Sequence, residues 1–231
     1  MPPGTTRLPA RQAYGAPTGN TKRTMNPNPQ IAGFVLAGGA SSRMGRAKAL
    51  LEIGGVPLIV RTARLAAAVA GSATVVGGGG KYRTLGLRVI EDDLPGAGPL
   101  GGIATALRAS EAPWNLILAC DLPYLTRNWL EFLVQRGVAS QADAVIPMNT
   151  LGAEPLCAVY HKCGEPLIRT AIERGVRKVT DGLKELRVEA IAPAEWKAFD
   201  SDGLLFKNMN SPEDYEEAKT RLEADARSGR T

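Results

Sequence analysis

The sequence predicts an α/β sandwich, a fold of packed strand and helix layers, and three observations carry that prediction. From Ile31 onward, short apolar runs of strand length alternate with helical patterns along the chain. Most of the runs stop at glycines or acidic turns, the punctuation expected where a strand leaves a sheet. The 231 residues, 44% hydrophobic and 22% charged, match one ordinary globular domain able to bury a core.

Each element has its own signal. Ile31 to Leu36 reads as a buried strand ended by Gly38 and Gly39, with a polar loop running on to Lys48. Pro57 opens a helix to about Ala70 from an N1-like position. Ala73 to Val76 is a second strand, stopped by glycines 77–80, and Leu87 to Ile90 a third. An acidic, Gly/Pro-rich loop then leads into a helix over about Leu100 to Ala109. Asn115 to Ala119 is a fourth strand, running into Cys120-Asp121-Leu122-Pro123, and Thr126 is placed to cap a helix to about Arg136. Ala144 to Pro147 and Leu156 to Tyr160 are further strands, and Gly164 to Arg174 is helical. Ser211-Pro212-Glu213-Asp214 opens the last helix with a cap, an N1 proline and two first-turn acids.

The expected organisation is a single domain over residues 31–222 between flexible tails at 1–30 and 223–231. Residues 1–30 hold six prolines, three glycines and no apolar periodicity, so they bury too little surface to offset the entropy of ordering. Met25 is a candidate natural start within that segment. The tail also explains the net charge of +5: Arg7, Arg11, Lys22 and Arg23 fall within it with no acid, leaving 24 basic against 23 acidic residues beyond. A domain-wide basic face for nucleic acid is therefore not expected. Apolar runs far shorter than the ~20 residues of a spanning helix argue against a membrane partner. Cys120, Cys157 and Cys163 are odd in number and lack C-x-x-C spacing, which predicts reduced thiols, a cytoplasmic location and no metal cluster of the zinc type.

Two segments carry chemistry. Residues 36–48 follow a strand, are rich in small residues whose N–H groups can approach an anion, and end in Arg43, Arg46 and Lys48. They read as a phosphate-binding loop, although neither the Walker pattern nor G-x-G-x-x-G is present; a surface loop with solvated cations is the alternative. Asp121, directly after an apolar strand, is placed at the same carboxyl edge and suits Mg²⁺, which takes one or two carboxylates plus substrate phosphate oxygens; a simple turn before Pro123 is the alternative. Glu91-Asp92-Asp93 ends the third strand similarly, with Glu91 and Asp93 reading as solvated and Asp92 left open. His161 has no partner acid at useful spacing and reads as a surface histidine.

The segments Leu36-Ala-Gly-Gly-Ala-Ser-Ser-Arg-Met-Gly-Arg-Ala-Lys48, Gly98-Pro-Leu-Gly-Gly102, Cys120-Asp-Leu-Pro123, Glu154-Pro-Leu-Cys-Ala-Val-Tyr160 and Asn208-Met-Asn-Ser-Pro-Glu-Asp214 together resemble the MobA-type molybdenum cofactor guanylyltransferases. The resemblance runs from about Ile31 to Tyr215. It implies a three-layer α/β/α, Rossmann-like sandwich with a mostly parallel sheet, of the nucleotide-diphospho-sugar transferase type. It further implies an enzyme that transfers GMP from Mg·GTP to the terminal phosphate of molybdopterin, releasing pyrophosphate. GTP and molybdopterin would be its substrates, Mg²⁺ its cofactor, and molybdoenzymes or cofactor-biosynthesis proteins its transient contacts. By the same resemblance Leu36, Ala37 and Gly38 would line the guanine and ribose site, with Gly39 allowing close backbone approach. Arg43 and Lys48 would hold the triphosphate, Asp121 would bind Mg²⁺, and Asp92 would contact the nucleotide. Asn208, Asn210, Arg177 and Lys178 would lie toward the pterin, with capping of the last helix the alternative for the asparagines. The chain differs from the family at Gly77 to Gly80, after the second strand, where members often carry a polar side chain, so that contact is missing or made by backbone. Cytidyl transfer by the same fold is a rival reading; those relatives resemble Leu-Ala-Ala-Gly at the loop, where this chain has Gly38. A non-catalytic nucleotide-binding adaptor is another.

Overall fold

A computed structural model describes residues 30–37 and 47–228. The expected N-terminal tail, except Gln30, and the loop holding Gly38, Gly39 and Arg43 lie outside the described residues. The chain enters the sheet with β1 (Ile31–Leu36), then a 3-10 turn at Lys48–Leu50, the hairpin β2 (Glu52–Ile53) and β3 (Val56–Pro57), and α1 (Leu58–Ala70). Next come β4 (Ala73–Val76), a 3-10 turn at Lys81–Leu85, β5 (Val89–Ile90), α2 (Gly98–Ala109), β6 (Trp114–Ala119) and α3 (Arg127–Ala139). The rest comprises β7 (Ala144–Asn149), β8 (Gly152–Ala153), β9 (Cys157–His161), α4 (Glu165–Glu173), α5 (Val179–Gly182), β10 (Val188–Ile191), α6 (Pro193–Trp196) and α7 (Pro212–Arg227).

The main sheet has the order β10-β7-β9-β6-β1-β4-β5, with β8 paired to β7. Pairings of β1 with β4 and β6, of β4 with β5 and of β7 with β10 are parallel, and β9 runs antiparallel to both neighbours. Side-chain alternation along β1 splits the core in two. Ile31 and Val35 join a cluster with α1 and α3, whereas Phe34 and Leu36 join one with α2 and α4. The expected three-layer, mostly parallel sandwich is the architecture observed.

Local chemistry accounts for the helix ends. Gly71 closes α1 at φ 74°, and Thr126 Oγ1 accepts from Trp129 N at 3.3 Å to cap α3. Pro57 ends the hairpin one residue ahead of α1, not at its first helical position, because its φ of −56° is paired with an extended ψ of 142°. The third strand shortens to Val89–Ile90, and α2 begins two residues earlier than expected, at Gly98. Helix α7 continues past residue 222 to Arg227, with Leu222 against the Ile53/Met209 cluster and Glu223 accepting from Gly54 N at 3.1 Å.

The edge of the sheet away from the glycine loop is held by Asp143. Its carboxylate accepts from Arg187 Nη2 at 2.7 Å, Nε at 3.2 Å and backbone N at 3.0 Å, tying β7 to the approach of β10. The Arg187 guanidinium and backbone N–H hold the Asp143 carboxyl well below the usual carboxylate range. A depressed folded-state pKa adds stability that is present above the ordinary value of 3.8 and lost as pH falls through the lower folded one. Asp143→Asn should therefore cost about 1–2 kcal/mol at pH 7, allowing for the exposed arginine, and flatten the acid limb of a urea-stability profile. An unchanged acid limb would assign the acid sensitivity to other carboxylates.

Candidate active site

The topology decides where ligands can gather. From β1 the chain builds outward through β4 and β5, then returns across to β6 on the other side of β1, so the switch point falls between β1 and β6. In open α/β sheets the crevice outside the carboxyl ends of strands at such a point is the usual ligand site. Ala37 follows β1 there, Gly77 follows β4, Glu91 follows β5, Cys120-Asp121 follow β6 and Asn149 ends β7. Because β9 is antiparallel, its preceding residues Glu154 to Leu156 come to the same edge, where Ala119 N donates to Leu156 O at 2.8 Å.

Lys48, Asp121 and Asn210 meet at this edge. Lys48 Nζ donates to Asp121 Oδ2 and to Asn210 Oδ1, each at 3.2 Å, across 73 and 162 positions of sequence. The Lys48 and Asp121 side chains are 15% and 27% exposed, so the pair is largely shielded yet open to a ligand. An ammonium has three donors. Two are committed here, leaving one to point at an incoming anion while the other two fix the side chain.

Three devices bring Asn210 in. Met209 N donates to Asp121 O at 3.0 Å, and the Met209 side chain is buried with Ile53, Leu58 and Ala218 between the hairpin and α7. Ser211 Oγ caps α7 by accepting from Asp214 N at 3.2 Å, while Asp214 Oδ2 accepts from the N–H of Ser211 and of Asn210, both at 2.9 Å. The cap is Ser211, so neither asparagine side chain serves the helix. Tyr215 Oη donates to Glu52 O at 2.7 Å and clamps α7 onto the hairpin.

The other expected residues are placed as follows. The Leu36 side chain is buried against α2, where a Cβ at Gly102 would come within 3.2 Å of it, so toward the crevice Leu36 offers its backbone. Ala37 N donates to Val76 O at 3.0 Å, fixing the chain as it leaves β1. Asp92 Oδ1 accepts from Leu94 N and Thr105 Oγ1, both at 3.0 Å, and shapes the turn ahead of α2. Asn208 is exposed. Arg177 Nη1 donates to Ile172 O in the last turn of α4 and to Val176 O in the loop after it, at 3.0 and 2.9 Å, and Lys178 immediately precedes α5. No hydrogen bond or ion pair joins Asp92, Asn208, Arg177 or Lys178 to the Lys48 cluster among the described residues.

Glycines 77–80 all have positive φ, from 61° to 86°, and a Cβ at Gly78 would lie 2.2 Å from the buried Tyr82 ring. A polar side chain is thereby excluded at Gly78, and the strained backbone disfavours one at its three neighbours, so any contact from this turn is made by main chain.

The sequence motifs included Glu154 without giving it a role. Burial, and then the charge of Asp121, push its carboxyl up to about 7. Asn149 Nδ2 donates to Glu154 Oε1, and Asn149 Oδ1 accepts from Leu151 N at 2.6 Å, which fixes the amide's orientation. Cys120 carries no nucleophile: burial pushes its thiol up to about 12. His161 lies at the opposite edge, its Nδ1 2.9 Å from Cys163 Sγ. The three cysteines are free thiols.

Among the described residues no three His, Cys, Asp or Glu side chains form a metal-binding group, and no helix is long and apolar enough to cross a membrane. The metal donors at this edge, Asp121 and Asn210 on Lys48 and Glu154 ahead of the antiparallel β9, are oxygen ligands. That set suits a hard divalent cation completed by nucleotide phosphate oxygens, and does not suit a zinc site.

Residues 33–188 match the family model described as the MobA-like NTP transferase domain. A protein of Pelotomaculum thermopropionicum named probable molybdenum cofactor guanylyltransferase is 33% identical, covering 87% of this chain and 97% of its own. One of the same name from Synechococcus elongatus is 35% identical, covering 80% and 96%. The crystal structure of molybdopterin-guanine dinucleotide biosynthesis protein A from Archaeoglobus fulgidus is similar at a TM-score of 0.72 and 26% identity, covering 84% of this chain and 99% of that one.

Proposed function

The chain belongs to the MobA-like NTP transferase family, and from that membership we propose that it transfers GMP from Mg·GTP to the terminal phosphate of molybdopterin, releasing pyrophosphate. The observation that carries the reading is the Lys48 ammonium shared between Asp121 and Asn210 at the switch point of the sheet. Attack of a phosphate oxygen on the α-phosphorus needs in-line positioning of two polyanions and positive charge where negative charge builds up. Lys48, immobilised by two acceptors before substrate arrives, supplies its remaining N–H to a triphosphate oxygen at little reorganisation cost. Asp121 and Asn210 turn oxygen atoms toward the same point, where a divalent cation held with the phosphates would neutralise the leaving pyrophosphate. No protein nucleophile enters, which agrees with the raised thiol of Cys120 beside Asp121.

Guanine selection is assigned to the backbone after β1, with Gly38 and Gly39 giving the base and ribose close approach, and to the main chain of the Gly77–Gly80 turn. Arg43 is assigned to the triphosphate beside Lys48. Asn208, Arg177 and Lys178 are assigned to the pterin side, and Asp92 to ordering the loop under the nucleotide. Free thiols support a cytoplasmic setting for the reaction.

Incubation of the protein with molybdopterin, Mg²⁺ and each of GTP, CTP and ATP tests the reading, with pyrophosphate release and the dinucleotide product as readouts. Product is expected with GTP well ahead of the others. Faster turnover and tighter competition binding of CTP would reassign the chain to cytidyl transfer. Binding of GTP without pyrophosphate release would make it an adaptor.

A further inference from the structure

Glu154 is held in place more firmly than a turn requires, and one of its oxygens is left unused. Its N–H donates to Pro147 O at 2.9 Å and its carbonyl accepts from Cys157 N at 3.1 Å, so the backbone alone fixes the bend between β8 and β9. The side chain is additionally seized at Oε1 by Asn149, whose own carbonyl oxygen is locked by Leu151 N. Oε2 takes no hydrogen bond from a described residue, and no described lysine or arginine forms an ion pair with Glu154. The lysine of the site is committed to Asp121 and Asn210 instead.

A half-buried carboxylate set across the β6–β9 edge from another, with no basic partner among the described residues, is a net cost to the folded protein. If the only task were to accept the Asn149 N–H, a neutral glutamine would do it without that cost. The cost is offset when a cation enters between the carboxylates. Mg²⁺ takes one or two carboxylates with substrate phosphates supplying further ligands.

We propose that Glu154 is the second carboxylate of the reaction centre, holding with Asp121 the divalent cation that accompanies the triphosphate, and that Asn149 is the positioning residue that presents it. The inference rests on the guanylyl-transfer reading. It assigns to the strand-end pair β6 and β9, and not to Asp121 alone, the negative charge that recruits the metal.

Glu154→Gln is isosteric and keeps the acceptor for Asn149, so the fold is retained, as thermal melting will show. The probe is Mn²⁺, titrated by electron paramagnetic resonance into the full chain with a non-hydrolysable GTP analogue. The variant should bind Mn²⁺ about 10-fold more weakly, while the analogue without metal binds as tightly as before or more so, since one negative charge has left the site. Asn149→Ala should shift Mn²⁺ affinity in the same direction by less, and excess Mg²⁺ should restore part of the turnover lost in both. Wild-type Mn²⁺ affinity in Glu154→Gln would overturn the proposal and leave guanylyl transfer untouched. Failure of the wild-type chain to take up Mn²⁺ with the nucleotide would overturn both.

Discussion

Asp121→Asn is expected to keep the fold and some GTP binding while lowering turnover by about 10²–10³, equivalent to roughly 3–4 kcal/mol of transition-state stabilisation. The substitution changes almost no volume, and the backbone bond from Met209 N to Asp121 O is untouched, so the strand end and the Asn210 loop stay registered. What disappears is the negative charge that Lys48 Nζ meets at 3.2 Å and that a divalent cation would require. Without the cation, charge developing on the leaving pyrophosphate falls to Lys48 and Arg43. The measurement is kcat against Mg²⁺ concentration for both proteins. Asp92→Asn is the control, because the Asp92 carboxylate is engaged with Leu94 N and Thr105 Oγ1 and an amide oxygen can accept both bonds. Near-parental turnover in Asp121→Asn at saturating Mg²⁺, with activity abolished in Asp92→Asn, would move the metal to the end of β5.

The layers and the edge that holds the site were legible in the sequence because central buried strands leave an unambiguous pattern. Ile31–Leu36 and Ala73–Val76 were bounded to the residue, since each is a short, mostly apolar run that gives way to glycines. The hairpin at Glu52–Pro57 escaped notice although Gly54-Gly55, at φ 59° and 72°, is a two-residue turn signal. Two-residue strands have no periodicity to read. The edge strand Val188–Ile191 was also missed, since its exposed Val188 and Ala190 blur the apolar pattern. The end of helix α7 was not readable because its outer turns are highly charged, and what holds them is contact with the unrecognised hairpin.

In the site, Lys48, Asp121 and Asn210 were each named from motifs, but their meeting was not readable. It depends on Met209 being drawn into the pocket of the same hairpin. Arg177 illustrates the converse limit. Its place in a basic pair suggests a ligand, and one nitrogen of the guanidinium also turns back onto Ile172 O and Val176 O, a use that only backbone geometry reveals. Glu154 stood in a quoted motif without a role because its significance comes from β9 running antiparallel. That reversal brings the residues before the strand to the edge where the parallel strands end.

Lys48→Ala should weaken GTP binding as well as turnover, and its effect should depend on Asp121. Losing a charge-assisted contact to a phosphate costs about 1.5–3 kcal/mol, or roughly 10–100-fold in affinity. The lysine also neutralises Asp121 in the free protein, so its removal leaves a largely shielded carboxylate without a partner where a triphosphate must enter. In the Asp121→Asn background that second penalty is gone, and Lys48→Ala should then cost measurably less than in the parent. Residues in direct contact commonly couple by about 0.5–3 kcal/mol, which a double-mutant cycle on GTP affinity can resolve. Asn210→Ala gives the third corner of the cluster: it frees one donor of Lys48 without adding repulsion, so it should raise KM by less than Lys48→Ala does. Additive effects of Lys48→Ala and Asp121→Asn would mean that the 3.2 Å pair does not operate as a unit, and that each residue meets the nucleotide independently.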